Sequence, residues 1–134
     1  MATNVPPVRP SVRELREQAS QTVRKTVTFA DGGLAAGIPL PASLPAGALI
    51  TSLLVLVETA FSAGSALLIG TTATGNDLAA AADTAATAAG VKRVDTATLK
   101  GRLAADTPMF VSATGAPTAG VATIVVHFTP NNDA

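Results

Sequence analysis

The sequence predicts a mainly β protein, an antiparallel sandwich or barrel, led by an extended or partly helical N-terminal arm. Three observations carry this. Short apolar or alternating segments recur between Gly- and Pro-containing turns. One stretch of the body, Gly75 to Gly90, reads as a helix; the rest does not. The first 21 residues differ from the body, being Pro-rich and basic. The chain has 134 residues, enough for one ordinary domain. We divide it into an arm, 1–21, and a sandwich domain, 22–134.

The arm begins with Pro6, Pro7 and Pro10, which favour an extended path. Ser11-Val12-Arg13-Glu14 then matches a capping box, and Val12, Leu15, Ala19 and Val23 follow at helical spacing. That predicts a short amphipathic helix over 12–21. Isolated helices of this length are marginal in water, so it needs a surface to lie on. Residues 1–25 hold five basic side chains against two acids, a net +3. Arg9, Arg13, Leu15, Arg16, Arg24 and Lys25 are the candidate docking residues. A basic arm that folds on contact suits an acidic protein surface.

In the body, Thr22 to Phe29 alternates, with Val23, Val27 and Phe29 on one side. Asp31-Gly32-Gly33 is a turn. Pro39, Pro41 and Pro45 confine 37–47 to loop or sheet edge, since proline cannot donate to a ladder. Leu49 to Phe61 is the strongest strand. Leu49, Thr51, Leu53, Val55 and Val57 form one face; Ile50, Ser52, Leu54, Leu56 and Glu58 form the other. Both are mostly apolar, which predicts a central strand covered on both sides. Ser65 to Thr72 is a further strand.

Gly75-Asn76-Asp77 is read as the start of a helix through Ala88, with Gly90 as C-cap, and a polar-sided loop is the alternative. Val91 to Leu99 is a weak strand or loop, and Pro108 to Ala113 is a strand. Thr114 to Gly120 reads as a hairpin-type connection into Val121–Thr129. There Ala122, Ile124, Val126 and Phe128 form one face, and Val121, Thr123, Val125 and His127 the other.

Composition removes many functions. The chain has no Cys, Trp or Tyr, one His and four Phe. That excludes a disulfide scaffold, a thiolate zinc site and a Cys nucleophile. It also excludes multi-His metal sites. Basic and acidic residues balance at nine each, and charged residues are 13% of the chain. Direct nucleic-acid binding is therefore not expected, and no aromatics are spaced for base stacking. No cofactor is expected. The start has no apolar core of a secretory signal. The longest apolar run, Ala46 to Val57, is far short of the roughly 20 residues that span a bilayer. No membrane partner is expected, and the protein is expected to be made in the cytoplasm.

Catalytic candidates are few. His127 would need a nucleophile and an orienting acid, and no G-x-S-x-G elbow exists. A sheet-face or interface histidine is the plainer reading. Asp77, Asp83, Asp95 and Asp106 lack the spacing of a calcium loop and read as turn caps and solvated loop residues. Glu58 reads as the point where its strand emerges into solvent. Gly70 to Gly75 lacks the Gly-Lys-Ser/Thr of a phosphate loop. Lys92, Arg93, Lys100 and Arg102 read as a solvated basic face. The sequence predicts a protein that is not an enzyme.

Several stretches carry a family likeness. Leu44-Pro45-Ala46-Gly47-Ala48-Leu49-Ile50 leads to Val57-Glu58-Thr59-Ala60-Phe61-Ser62-Ala63-Gly64. Ala88-Ala89-Gly90-Val91, Leu103 to Pro108 and Ala116 to Thr123 follow in order. Over residues 44–128 this resembles capsid decoration (cement) proteins of tailed bacteriophages, with a jelly-roll-like β-sandwich. The resemblance implies a non-enzymatic virion protein on the outer capsid surface. It would oligomerise as a dimer or trimer and staple neighbouring major capsid subunits. A tail or head-fibre component is the alternative, followed by a ligand-binding sandwich, though sugar-binding sandwiches normally expose Trp or Tyr. An Ala-, Val- and Leu-based core buries limited area per residue, at roughly 25 cal/mol per Å². Burial between copies would add to it.

Overall fold

Even-spaced apolar residues give each strand one inward face, and two such faces close on each other. In a computed structural model describing residues 21–94 and 103–130, the strands are β1 (Gln21–Thr28), β2 (Ile38–Pro39), β3 (Leu49–Thr59), β4 (Ala66–Gly70), β5 (Gly90–Val94), β6 (Phe110–Thr114) and β7 (Val121–Thr129). One helical turn, α1 (Ala81–Thr84), lies between β4 and β5. The larger sheet has the order β1-β7-β3-β5 and the smaller β2-β6-β4. All pairs are antiparallel. The chain changes sheet at every step from one strand to the next. This is the double-sheet jelly-roll arrangement, with the strand position beside β4 reduced to a single bridge between Ile69 and Ala79. The predicted mainly β sandwich is what forms.

The sandwich centre is filled from both sheets. Val27, Val55 and Ile124 of the larger sheet and Leu67, Ile69 and Val111 of the smaller are fully buried. β7 keeps its predicted inner face: Ala122, Ile124, Val126 and Phe128 are buried, and Val121, Val125 and His127 are half-exposed, but Thr123 of the outer face is also buried, its hydroxyl 2.9 Å from that of Thr26. β2 is two residues long at a sheet edge, as Pro39 requires. Leu44 and Thr107 exchange both backbone hydrogen bonds at 2.8 Å, which ties the loop after β2 to the segment before β6.

Five expectations need correction. First, the faces of β3 are not those read from strict alternation. Ile50, Leu53, Val55 and Val57 point inward, whereas Leu49 and Thr51 are exposed. The register against β7 passes from Ile50–Phe128 to Ser52–His127, so Thr51 is an extra residue. A bulge of one residue reverses the parity of everything before it. Second, β3 is central in its sheet but is not covered on both sides, because Leu56 on its outer face remains 38% exposed.

Third, the helix from Gly75 to Ala88 is only α1, and Gly90 opens β5 instead of capping a helix. The Asp77 carboxylate binds the Thr71 backbone and hydroxyl at 2.8 and 2.6 Å. Leu78 and Ala79 donate to the Ile69 carbonyl. These contacts hold 77–79 as a bend against the end of β4, with a single bridge at Ala79. α1 then ends where the buried Thr84 hydroxyl donates to Leu67 O at 2.8 Å and Ala85 adopts φ 42°. Long-range pairing overrides the helix propensity of alanine here. Fourth, Thr114–Gly120 is not a hairpin, since β6 and β7 belong to different sheets. Fifth, Phe29, expected in the inner row of β1, lies past the strand end and is 43% exposed.

Candidate functional site

The chemistry-bearing side chains are mostly engaged in holding turns. Asp31 accepts from the Thr28 backbone at 2.9 Å and its hydroxyl at 3.1 Å. Asp83 accepts from Ala80 N at 3.0 Å, and Asp106 from Ala46 N at 2.9 Å. Together with Asp77, each of these carboxylates satisfies a backbone donor that a tight turn leaves unpaired, the usual use of Asp in loops. Asp95 lies outside the described residues. Among the described residues no three His, Asp or Glu side chains converge on a point that could hold a metal ion. No described helix is long and apolar enough to cross a membrane.

His127 stands on the outer face of the larger sheet. Its Nδ1 is 3.0 Å from the Thr22 hydroxyl on β1, and in register it lies between Thr22 and Ser52. Neither neighbour is a carboxylate, so nothing there orients the ring as a base. The similar pair two rows along the same face, Thr26 and Thr123, meets at 2.9 Å. Both are cross-strand hydrogen bonds of a sheet face. His127→Ala is expected to lower stability by no more than about 1 kcal/mol, read from a denaturant titration.

Of the arm residues, Arg9, Arg13, Leu15 and Arg16 lie outside the described residues. Arg24 and Lys25 are in β1, and alternation places them on opposite faces of the sheet. Arg24 is exposed on the outer face, beside Val125. Lys25 is half-buried on the inner side, between the buried Val23 and Val27. They cannot both touch one flat partner surface. Lys92 Nζ donates to the carbonyls of Ala85 and Ala88 at 3.0 and 2.8 Å, closing the loop after α1. Its neighbour Arg93 is exposed. Lys100 and Arg102 lie outside the described residues. Glu58 is exposed near the end of β3, as expected.

Two apolar surfaces went unread in the sequence. One is a notch of about 350 Å³ between the 29–36 loop and the β6–β7 crossover, lined by Phe29, Leu34, Ala36, Ala113, Ala116 and Pro117. The arm leaves from the opposite end of β1, where Gln21 pairs with Phe128. The other surface is the outer face of the larger sheet. There Leu56 and Val91 are register partners, 38% and 59% exposed. No short sequence window shows them together, because 35 residues separate them and only the β3–β5 pairing joins them.

No protein-family model matches the chain, and no curated protein matches it. Two solved structures are similar in fold. One is a chain of the cyanophage Pam1 capsid asymmetric unit, with TM-score 0.65 and 14% identity over 97% of this chain and 94% of that one. The other is a chain of the capsid of Ralstonia phage GP4, with TM-score 0.60 and 18% identity over 99% of this chain and 93% of that one. At such identities the likeness is one of fold.

Proposed function

We propose that the protein is a non-enzymatic component of a phage virion that binds the outside of the capsid and cements neighbouring major capsid subunits. The observation that carries this is the fold likeness to two chains from phage capsids, each covered over more than nine tenths of its length. A whole-chain likeness is stronger support than a shared sandwich motif, because sandwiches host many unrelated functions. The chemistry of the chain agrees. Its described aspartates cap turns, and its histidine has no acid beside it.

In this reading the arm, with Arg9, Arg13, Leu15 and Arg16, is the primary contact with the major capsid protein. The sandwich is the rigid body that bridges subunits, and the chain associates with itself. Its place is the outer surface of the virion. Nucleic acid, membrane and cofactors have no part.

Purified protein added to shells stripped of it is expected to cosediment at a fixed ratio and to raise the temperature at which the shells open. Absence of cosedimentation, or binding that leaves shell stability unchanged, would count against cementing.

A further inference from the structure

We propose that the outer face of the larger sheet is a contact between two copies of this chain. The two copies are related by a two-fold axis that lies in the face and crosses the strands at Leu56 and Val91. The proposal rests on the self-association in the reading above and not on capsid binding, so the two can fail separately.

The face carries an apolar centre that an outward sheet face seldom has. Leu56 and Val91 stand side by side at 38% and 59% exposure. The next row holds Leu54 and Val125, half-buried and paired with each other. Around them lie Thr22, Thr26, Ser52 and His127, a polar rim. An apolar centre with a polar rim is the usual build of a protein–protein contact.

The fixed charges select a second copy as the occupant. Glu58, exposed and set out by a second register shift of β3 against β7 between Val57 and Thr59, lies two residues to one side of Leu56 along β3, and Arg93 lies beside Leu54 on the other side. Two residues of strand are about 7 Å, and adjacent strands are about 4.8 Å apart. The two-fold rotation reverses the strand direction and carries Glu58 to the level of the partner's Leu54, one strand from the partner's Arg93. A carboxylate and a guanidinium reach across that gap. The same operation makes the second pair, so the surface is self-complementary, as a closed two-fold contact requires. It also sets Leu56 and Val91 against their own copies.

The extent is adequate. Four strands, two of them 11 and 9 residues long, make a face of about 20 by 30 Å, comparable to the roughly 800 Å² per partner of a standard interface. Pairing through the open edge of β1 meets Lys25, whose inward position on an edge strand discourages an added strand.

Sedimentation velocity on the full chain at micromolar concentrations tests this. A monomer–dimer equilibrium is expected. Leu56→Arg should weaken it at least about tenfold, as should Glu58→Arg, and Glu58→Arg combined with Arg93→Glu should recover most of the loss. Circular dichroism checks that each variant is folded, and Leu56→Ser replaces Leu56→Arg if the arginine is not tolerated. A monomer at all concentrations, a trimer, or a dimer indifferent to Leu56 and to the charge exchange would overturn the proposal.

Discussion

Gly120→Ala is expected to destabilise the protein by about 3 kcal/mol or more, a large part of the 5–15 kcal/mol typical of a whole domain. Two penalties coincide at this residue. Its φ of +139° is a conformation that side chains rarely adopt. A Cβ there would also occupy the place of the Phe61 ring, and that ring is 2% exposed and cannot swing out. Backbone strain and overpacking each cost on the order of 1–3 kcal/mol. Gly120 also accepts from Phe29 N at 3.0 Å, where the chain enters β7, so any shift pulls on both β1 and β7. Gly64→Ala is the internal control. It has a similarly unusual φ of +83° but nothing within 4 Å of the new Cβ, and should lose only about 1 kcal/mol. Thermal melts of the two variants should differ by several degrees. Equal melting temperatures would mean that Phe61 does not fill that space.

Removal of residues 1–21 is expected to abolish capsid occupancy while the body still folds. Docking through the arm places Arg9, Arg13, Leu15 and Arg16 against the capsid, and all of them are lost in this variant. The sandwich core keeps Val23, Val27 and everything after them. β1 loses only Gln21, at the end of its pairing with β7. Occupancy on purified shells, quantified by gel densitometry after sedimentation, measures the effect. A truncated chain that is folded by circular dichroism and still fills the shells would remove the arm from the mechanism. The sandwich surfaces would then carry the contact.

Local chemistry made much of the fold legible, and long-range pairing decided the rest. The inner face of β7 could be read in full, because period-2 alternation is an intrinsic property of a strand between a core and a surface, whereas the burial of Thr123 on its outer face could not. β2 was readable as an edge because Pro39 lacks a donor. The parity of β3 was not readable: Thr51 bulges only in relation to His127 and Phe128 on β7, and no feature of the strand itself marks it. The Ala-rich stretch misled for a related reason. Its helix propensity is real, but Leu78 and Ala79 find the Ile69 carbonyl and Thr84 finds Leu67 O. Hydrogen-bond partners supplied by β4 outweigh a few tenths of a kcal/mol per residue of propensity.

The candidate site divides the same way. Asp77, Asp83 and Asp106 were readable as turn or loop residues because they lack the spacing of a calcium loop. That Arg24 and Lys25 face apart follows from alternation once β1 is set as a strand. Leu56 and Val91 became a surface only through the β3–β5 register. Sequence proximity carries no information about that kind of juxtaposition.

A density map of the parent phage particle tests the capsid role most directly. It should contain, on the outer surface of the head, two-sheet sandwiches seated where neighbouring major capsid subunits meet, each with its β1 end toward the shell. A head surface without such density, or the same sandwich found in the tail, would contradict the proposed cementing role.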